Sequence, residues 1–349
     1  MKVLVCALES SSNVHLKALI KELDKDIELV GIFDKSLGSP TYDITQLAVM
    51  GFVDALKKLP FLLKINNEMV KLAKDVDKIL LMDSSGFNLP LAKKIKKKYP
   101  QKEIIYYILP QAWAWKQKRI PKIEAYCDTL CSILPFEKNF YNKKEMIHYV
   151  GHPLLDEIKH LKQNISNNDR VAFMPGSRKG EVSKLLPIYK KIAKIIKKEA
   201  VLIIPQNFTD EYIKELYGDI SNFEISRDTH KTLKEVDFAF ICSGTATLEA
   251  ALIGTPFLLS YIAKPIDYYI VKSLIKIKYL GLANIFFEKM GKEPIHKEFI
   301  QEEVTIDNLL KEYNTLNRED FLKNSITLRN YLEHGSSKNV AEIINKRLS

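Results

Sequence analysis

The chain has no Cys-x-x-Cys pair and no Walker-type Gly-Lys-[Ser/Thr] loop. It also has no internal repeat and no long apolar run. Each absence removes a class of function. Its cysteines, Cys6, Cys127, Cys131 and Cys242, are scattered in apolar or packing positions. That speaks against zinc and thioredoxin chemistry and suits a reducing compartment. A membrane span needs roughly 20 consecutive apolar residues, so any bilayer contact is expected to be peripheral. The opening MKVLVCALESSS reads as one short strand running into a polar loop, not as a secretory leader.

What is plentiful is lysine. Lys and Arg total 53 against 43 Asp and Glu, a formal net charge of +10. Such a balance fits nucleic acid, an anionic membrane surface or a phosphorylated substrate. The lysines are spread along helical stretches such as Lys93–Lys98, and no nucleic-acid-binding motif accompanies them. A nucleic-acid partner is therefore not expected.

At 349 residues the chain is long for one domain and comfortable for two. Short apolar runs alternate with longer Lys/Leu/Ile patterns of helical period. The runs are 2–8, 28–33, 78–82, 104–108, 129–133 and 147–150, then 171–174, 201–204, 223–225, 238–241 and 257–260. This alternation predicts an α/β chain with helix-covered parallel sheets, built twice. The polar stretch Gln163–Asp169 reads as a linker. The expected domains are 1–162 and 169–325, with C-terminal helices over 326–349 packing back on an N-terminal domain.

Six segments carry candidate chemistry. Val171–Met174 ends in Pro175-Gly176-Ser177-Arg178, and a helical pattern follows. Such a strand–turn–helix aims backbone N–H groups and the positive helix end at one spot, and Arg178 adds a cation, which suits a diphosphate. A second strand runs into Ser243-Gly244-Thr245, with Glu249 one turn into the next helix. The small residues can bring donors to a phosphate, and Glu249 can accept both ribose hydroxyls. The plainer reading of both is an ordinary capped helix.

Asp83, in Leu81-Met82-Asp83-Ser84-Ser85-Gly86-Phe87-Asn88, closes a buried strand and is a candidate general base or a helix cap. Glu9 to Asn13 closes the first strand with groups that could bind substrate hydroxyls, or else forms a polar loop that caps the next helix. Trp113 and Trp115, followed by Lys116, Lys118 and Arg119, place aromatic surface beside cations, or else anchor a loop. The segment 47–65, with Met50, Phe52 and Phe61, is more apolar than one buried helix face requires. It reads as an interfacial helix or a buried helix pair. Complete burial would remove its support for a lipid substrate.

Taken in order along the chain, these segments resemble the lipid-A-disaccharide synthase family, glycosyltransferase family 19. The resemblance also rests on Leu47-Ala48-Val49-Met50-Gly51, Leu134-Pro135-Phe136-Glu137-Lys138 and Gly151-His152-Pro153. It implies a GT-B fold: two Rossmann-like domains with parallel sheets facing a central cleft. It implies transfer of 2,3-diacylglucosamine from UDP to the 6-hydroxyl of 2,3-diacylglucosamine 1-phosphate, without metal or cofactor. Further implications are the cytoplasmic face of the inner membrane, peripheral attachment and a homodimer, domain-swapped in the family.

By this resemblance Asp83, Glu9 and Arg178 are catalytic. Gly176, Ser177, Arg178, Ser243, Gly244, Thr245, Glu249 and Asn284 bind the nucleotide sugar. Ser11, Asn13, Asn88, Trp113, Trp115, Arg119, Met50, Phe52 and Phe61 lie on the acceptor and lipid side. Two departures stand out. The family's Gly-Glu-Ala-Ser-Gly-Asp opening is Leu8-Glu9-Ser10-Ser11-Ser12-Asn13 here, and Gly86 replaces a family acid three residues after the base. The competing enzyme reading is another GT-B UDP-sugar transferase, or an epimerase, with a soluble substrate.

Overall fold

The computed structural model describes residues 1–44, 59–114, 117–165, 167–263 and 278–346, with nothing said of the Leu59 side chain. The chain divides into two compact units: Met1–Glu157 with Leu332–Ser349, and Ile158–Tyr331.

Unit 1 is a parallel sheet of β1 (Lys2–Ala7), β2 (Glu28–Phe33), β3 (Tyr42–Asp43), β4 (Lys78–Met82), β5 (Glu103–Tyr107), β6 (Thr129–Ser132) and β7 (Ile147–Tyr149). Its order is β3-β2-β1-β4-β5-β6-β7. Described helices are α1 (Ser10–Ile20), α2 (Leu59–Leu72), α3 (Ser85–Lys98), α4 (Ile120–Tyr126) and α5 (Pro153–Glu157). Every residue of β4 is buried, as a strand covered on both faces requires. Side chains alternate between two cores. Leu4, Ile79, Leu81, Ile104 and Tyr106 face one layer of helices. Val3, Val5, Leu80, Met82, Ile105 and Tyr107 face the other.

Unit 2 repeats the plan with β8 (Arg170–Met174), β9 (Glu199–Ile203), β10 (Glu224–Ser226), β11 (Phe238–Cys242), β12 (Phe257–Tyr261) and β13 (Glu298–Ile300). These are ordered β10-β9-β8-β11-β12-β13, again all parallel. Its described helices are α6 (Lys179–Ile196), α7 (Asp210–Tyr217), α8 (Thr229–Glu235), α9 (Thr245–Ile253), α10 (Leu282–Lys289) and α11 (Ile306–Thr315). Helix α12 (Arg318–Leu332) then leads back to unit 1 and α13 (Ser336–Asn345). In α6 the buried set Val182, Leu185, Leu186, Tyr189 and Ile192 has helical spacing. The core is aromatic: Phe173 stacks on Phe240 at 5.1 Å.

The chain's return to unit 1 is held firmly. Val340, Ala341 and Ile344 of α13 enter the second core face. Buried Lys78 donates to Ile343 O (3.2 Å) and pairs with Glu103 (3.1 Å). The Gly151-His152-Pro153 motif meets the same return. His152 N donates to Leu332 O (3.1 Å), and a Cβ on Gly151 (φ +86°) would sit 3.1 Å from Glu333 O and His334 O. Lys162 belongs to unit 2: its N–H donates to Ile253 O (2.8 Å) and its ammonium to Val236 O.

Among the described strands, β3 (two residues) and β13 (three residues), each at a sheet edge, have no apolar run to announce them.

Candidate active site

Both sheets reverse their strand order once, between β1 and β4 in unit 1 and between β8 and β11 in unit 2. In an open parallel sheet the crevice for a ligand lies beyond the carboxyl ends of those strands. Glu9 and Asp83 follow β1 and β4. The Pro175–Arg178 turn and Ser243–Thr245 follow β8 and β11.

In unit 1, Asp83 (φ 48°) and Ser84 (φ 40°) are both left-handed, a conformation costing non-glycine residues of order 1 kcal/mol each. The Asp83 carbonyl accepts from Tyr106 OH (2.6 Å) and Asn88 Nδ2 (2.9 Å). Ser84 Oγ donates to Glu9 Oε1 (2.9 Å), which brings exposed Glu9 beside half-buried Asp83. Burial, then the Glu9 charge, push the Asp83 carboxyl above its usual range. A backbone hydrogen bond from Ser84 and the nearby His15 oppose them. His15 is itself paired with Glu157.

The neighbouring residues divide. Ser11 is exposed. Arg119 donates to Ser85 Oγ (2.8 Å), at the start of α3. Phe61 on α2 packs half-buried against the core and Ile65 is buried, whereas Leu63 is 48% exposed. Met50, Phe52 and Trp115 lie outside the described residues, as does most of 47–65.

Three residues expected at the acceptor are buried. Asn13 is buried and spends its amide on Ala7 O and Glu9 O (both 2.8 Å), and its Oδ1 accepts from Asp34 N (2.8 Å). Asn88 is fully buried, donating to Met82 O (3.0 Å) as well as Asp83 O. Trp113 is 6% exposed and stands edge-on against Phe136, with centroids 5.0 Å apart. Its ring offers no face to a sugar or lipid. Instead it joins the Trp-Ala-Trp and Leu-Pro-Phe-Glu segments, and Glu137 behind Phe136 is buried with its carboxyl pushed up to about 8 by desolvation.

In unit 2, Gly176, Ser177, Arg178, Ser243, Gly244, Thr245 and Glu249 line one cavity of about 470 Å³, with Glu181 and Thr229. No side chain caps α9; Thr247 N donates to Gly244 O (3.2 Å), and the N–H groups of Thr245 and Ala246 are left open beside Ser243. Glu249 lies 3.4 Å from His230, which the sequence pattern does not point to.

The turn itself differs from the expected anion cradle. Ser177 N (3.2 Å) and Arg178 N (3.3 Å) donate to Glu181 Oε2, and Arg178 Nη1 to Oε1 (3.1 Å). An acid three residues after the helix-capping position is the usual reciprocal partner of that N–H, so spacing alone signals it. Gly176 is required here, because its φ of +103° disfavours any side chain and a Cβ would fall 2.8 Å from Glu181 Cβ. The Arg178 side chain is 83% exposed, and an exposed ion pair is worth about 0–1 kcal/mol. Little therefore holds the guanidinium against a better anion.

Asn284 is fully buried, is not among the residues lining this cavity, and donates to Glu298 Oε1 (2.8 Å) and His296 O (2.9 Å). Glu298 in turn accepts from Leu280 N (2.7 Å) and Gly281 N (3.0 Å), so this trio fixes the entry to α10.

Solved structures with this fold include MurG from Acinetobacter baumannii (TM-score 0.58, 16% identity, 99% of each chain). Another is the UDP-GlcNAc 2-epimerase of Neisseria meningitidis bound to UDP-GlcNAc (TM-score 0.61, 12% identity, 99% of this chain and 100% of that one). At such identities they establish the two-domain GT-B fold and no more. Sequence carries the rest. Lipid-A-disaccharide synthase from Helicobacter pylori strain J99 is 50% identical, covering 97% of both chains. That from Campylobacter jejuni strain RM1221 is 46% identical, covering 98% of this chain and 99% of its own. The Lipid-A-disaccharide synthetase family model matches residues 3–347. With a match of that extent, this chain belongs to the lipid-A-disaccharide synthase family of glycosyltransferases.

Proposed function

We propose that the chain transfers 2,3-diacylglucosamine from UDP to the 6-hydroxyl of 2,3-diacylglucosamine 1-phosphate in one inverting displacement. The observation that carries this reading is Asp83. It is a half-buried carboxylate at the switch point of unit 1, with its pKa raised by burial and by Glu9. A raised pKa makes a carboxylate a better proton acceptor. Asp83 removes the acceptor hydroxyl proton as that oxygen bonds to the anomeric carbon. The bond from that carbon to the diphosphate breaks, and its electron pair leaves with UDP. The donor is α-linked and the product β, so a single displacement accounts for the stereochemistry.

Unit 2 takes the nucleotide. Glu249 accepts the ribose hydroxyls, Ser243 to Thr245 and the open α9 terminus hold the phosphates, and Arg178 meets the charge that develops on the leaving group. The acyl chains are assigned to the surface around α2, where Leu63 is exposed. On this reading the enzyme works peripherally on the inner membrane. No described helix is long and apolar enough to cross one.

The test is an assay of the purified protein in detergent with both acylated substrates, following UDP release and disaccharide formation. Disaccharide and UDP in equal amounts support the reading. UDP release without disaccharide, or no reaction from folded protein, overturns it.

A further inference from the structure

Asp83 holds an unfavourable backbone conformation, and its neighbour Ser84 shares it. Two consecutive left-handed non-glycine residues persist only where the surroundings determine them. The surroundings here are specific. Three adjacent strands, β1, β4 and β5, meet at this point in register, with Cys6 opposite Leu81 and Met82 opposite Tyr107. Tyr106 on β5 is fully buried, yet its hydroxyl reaches the Asp83 carbonyl at 2.6 Å. Burial holds that phenol well above its usual range, so it remains a donor throughout the neutral region. Asn88, one turn into α3, adds its amide to the same carbonyl and to Met82 O. The backbone of Asp83 is gripped from two directions, and its side chain is left to face Glu9.

We infer that Tyr106 is a positioning residue for the transfer reaction: its hydroxyl, with the Asn88 amide, holds Asp83 in the left-handed turn that presents its carboxylate. The inference rests on Asp83 being the base. Tyr106 touches no substrate and acts only through Asp83. Its ring belongs to the core and its hydroxyl to the site, so Tyr106→Phe separates the two functions. The variant keeps the packing volume and removes one donor.

The expected result is a fall in kcat of roughly tenfold, the worth of about one buried hydrogen bond, with KM for both substrates and UDP affinity unchanged. A double-mutant cycle gives the decisive readout. In an Asp83→Asn background, whose own kcat is already far lower, Tyr106→Phe should cost nothing further, because the carboxylate it orients is gone. Equal losses in both backgrounds, a rise in KM in place of the fall in kcat, or an unchanged kcat would each overturn the inference. Failure of the underlying base assignment shows separately, as an Asp83→Asn variant with undiminished kcat, and that result overturns both.

Discussion

The two units share a topology and prepare opposite charges. At the switch point of unit 1, carboxylates are crowded: Glu9 raises Asp83, and the local hydrogen bonds grip the backbone and leave the acid free to take a proton. At the switch point of unit 2, the proposed anion site has the open α9 terminus and a loosely paired arginine, and the Glu181 carboxylate beside the turn is already satisfied by three donors. On the proposed function, the same sheet reversal supplies a place, and a handful of side chains decides whether that place takes a proton or a phosphate.

Substitutions should separate the two roles. The largest effect is expected from Asp83→Ala, a loss of kcat of about 10²–10⁴-fold measured by disaccharide formation. Next is Arg178→Ala. Removing a group aimed at leaving-group charge should lower kcat about 10²–10³-fold. An Arg178→Ala variant near full activity would assign the leaving group elsewhere in unit 2. Smaller is Glu181→Gln. A neutral amide competes less well than a carboxylate for Ser177 N, Arg178 N and the guanidinium, so UDP should bind a few-fold tighter by calorimetry. Weaker binding would mean that the turn needs its internal anion to hold its shape.

The smallest effect is a shift of pH profile. The Glu9 charge raises the Asp83 pKa, and the base works in its ionised form. Glu9→Gln should therefore move the acid limb of kcat/KM to lower pH. An acid limb that stays in place or moves up would remove Glu9 from the tuning of Asp83.

Much of this was legible in the chain. Buried parallel strands such as β4 and β11 are nearly continuous apolar runs, and the turns after β8 and β11 carry cavity-lining residues of unit 2. Polar side chains were harder. Asn13, Asn88 and Asn284 look like ligand contacts in sequence, because a residue string does not show which amides will be buried against backbone carbonyls. Trp113 misleads for a related reason: its partner Phe136 lies on a separate segment. Tyr106 was invisible as a site residue because its ring satisfies the apolar period of β5. Only the fold shows where its hydroxyl ends.

The division of roles is tested most directly by titrating UDP into the wild-type, Asp83→Ala and Arg178→Ala proteins under identical salt. We expect Asp83→Ala to bind UDP with wild-type affinity and Arg178→Ala to bind it more weakly. Loss of UDP binding in folded Asp83→Ala, or undiminished binding in Arg178→Ala, would contradict the assignment of proton to one unit and diphosphate to the other.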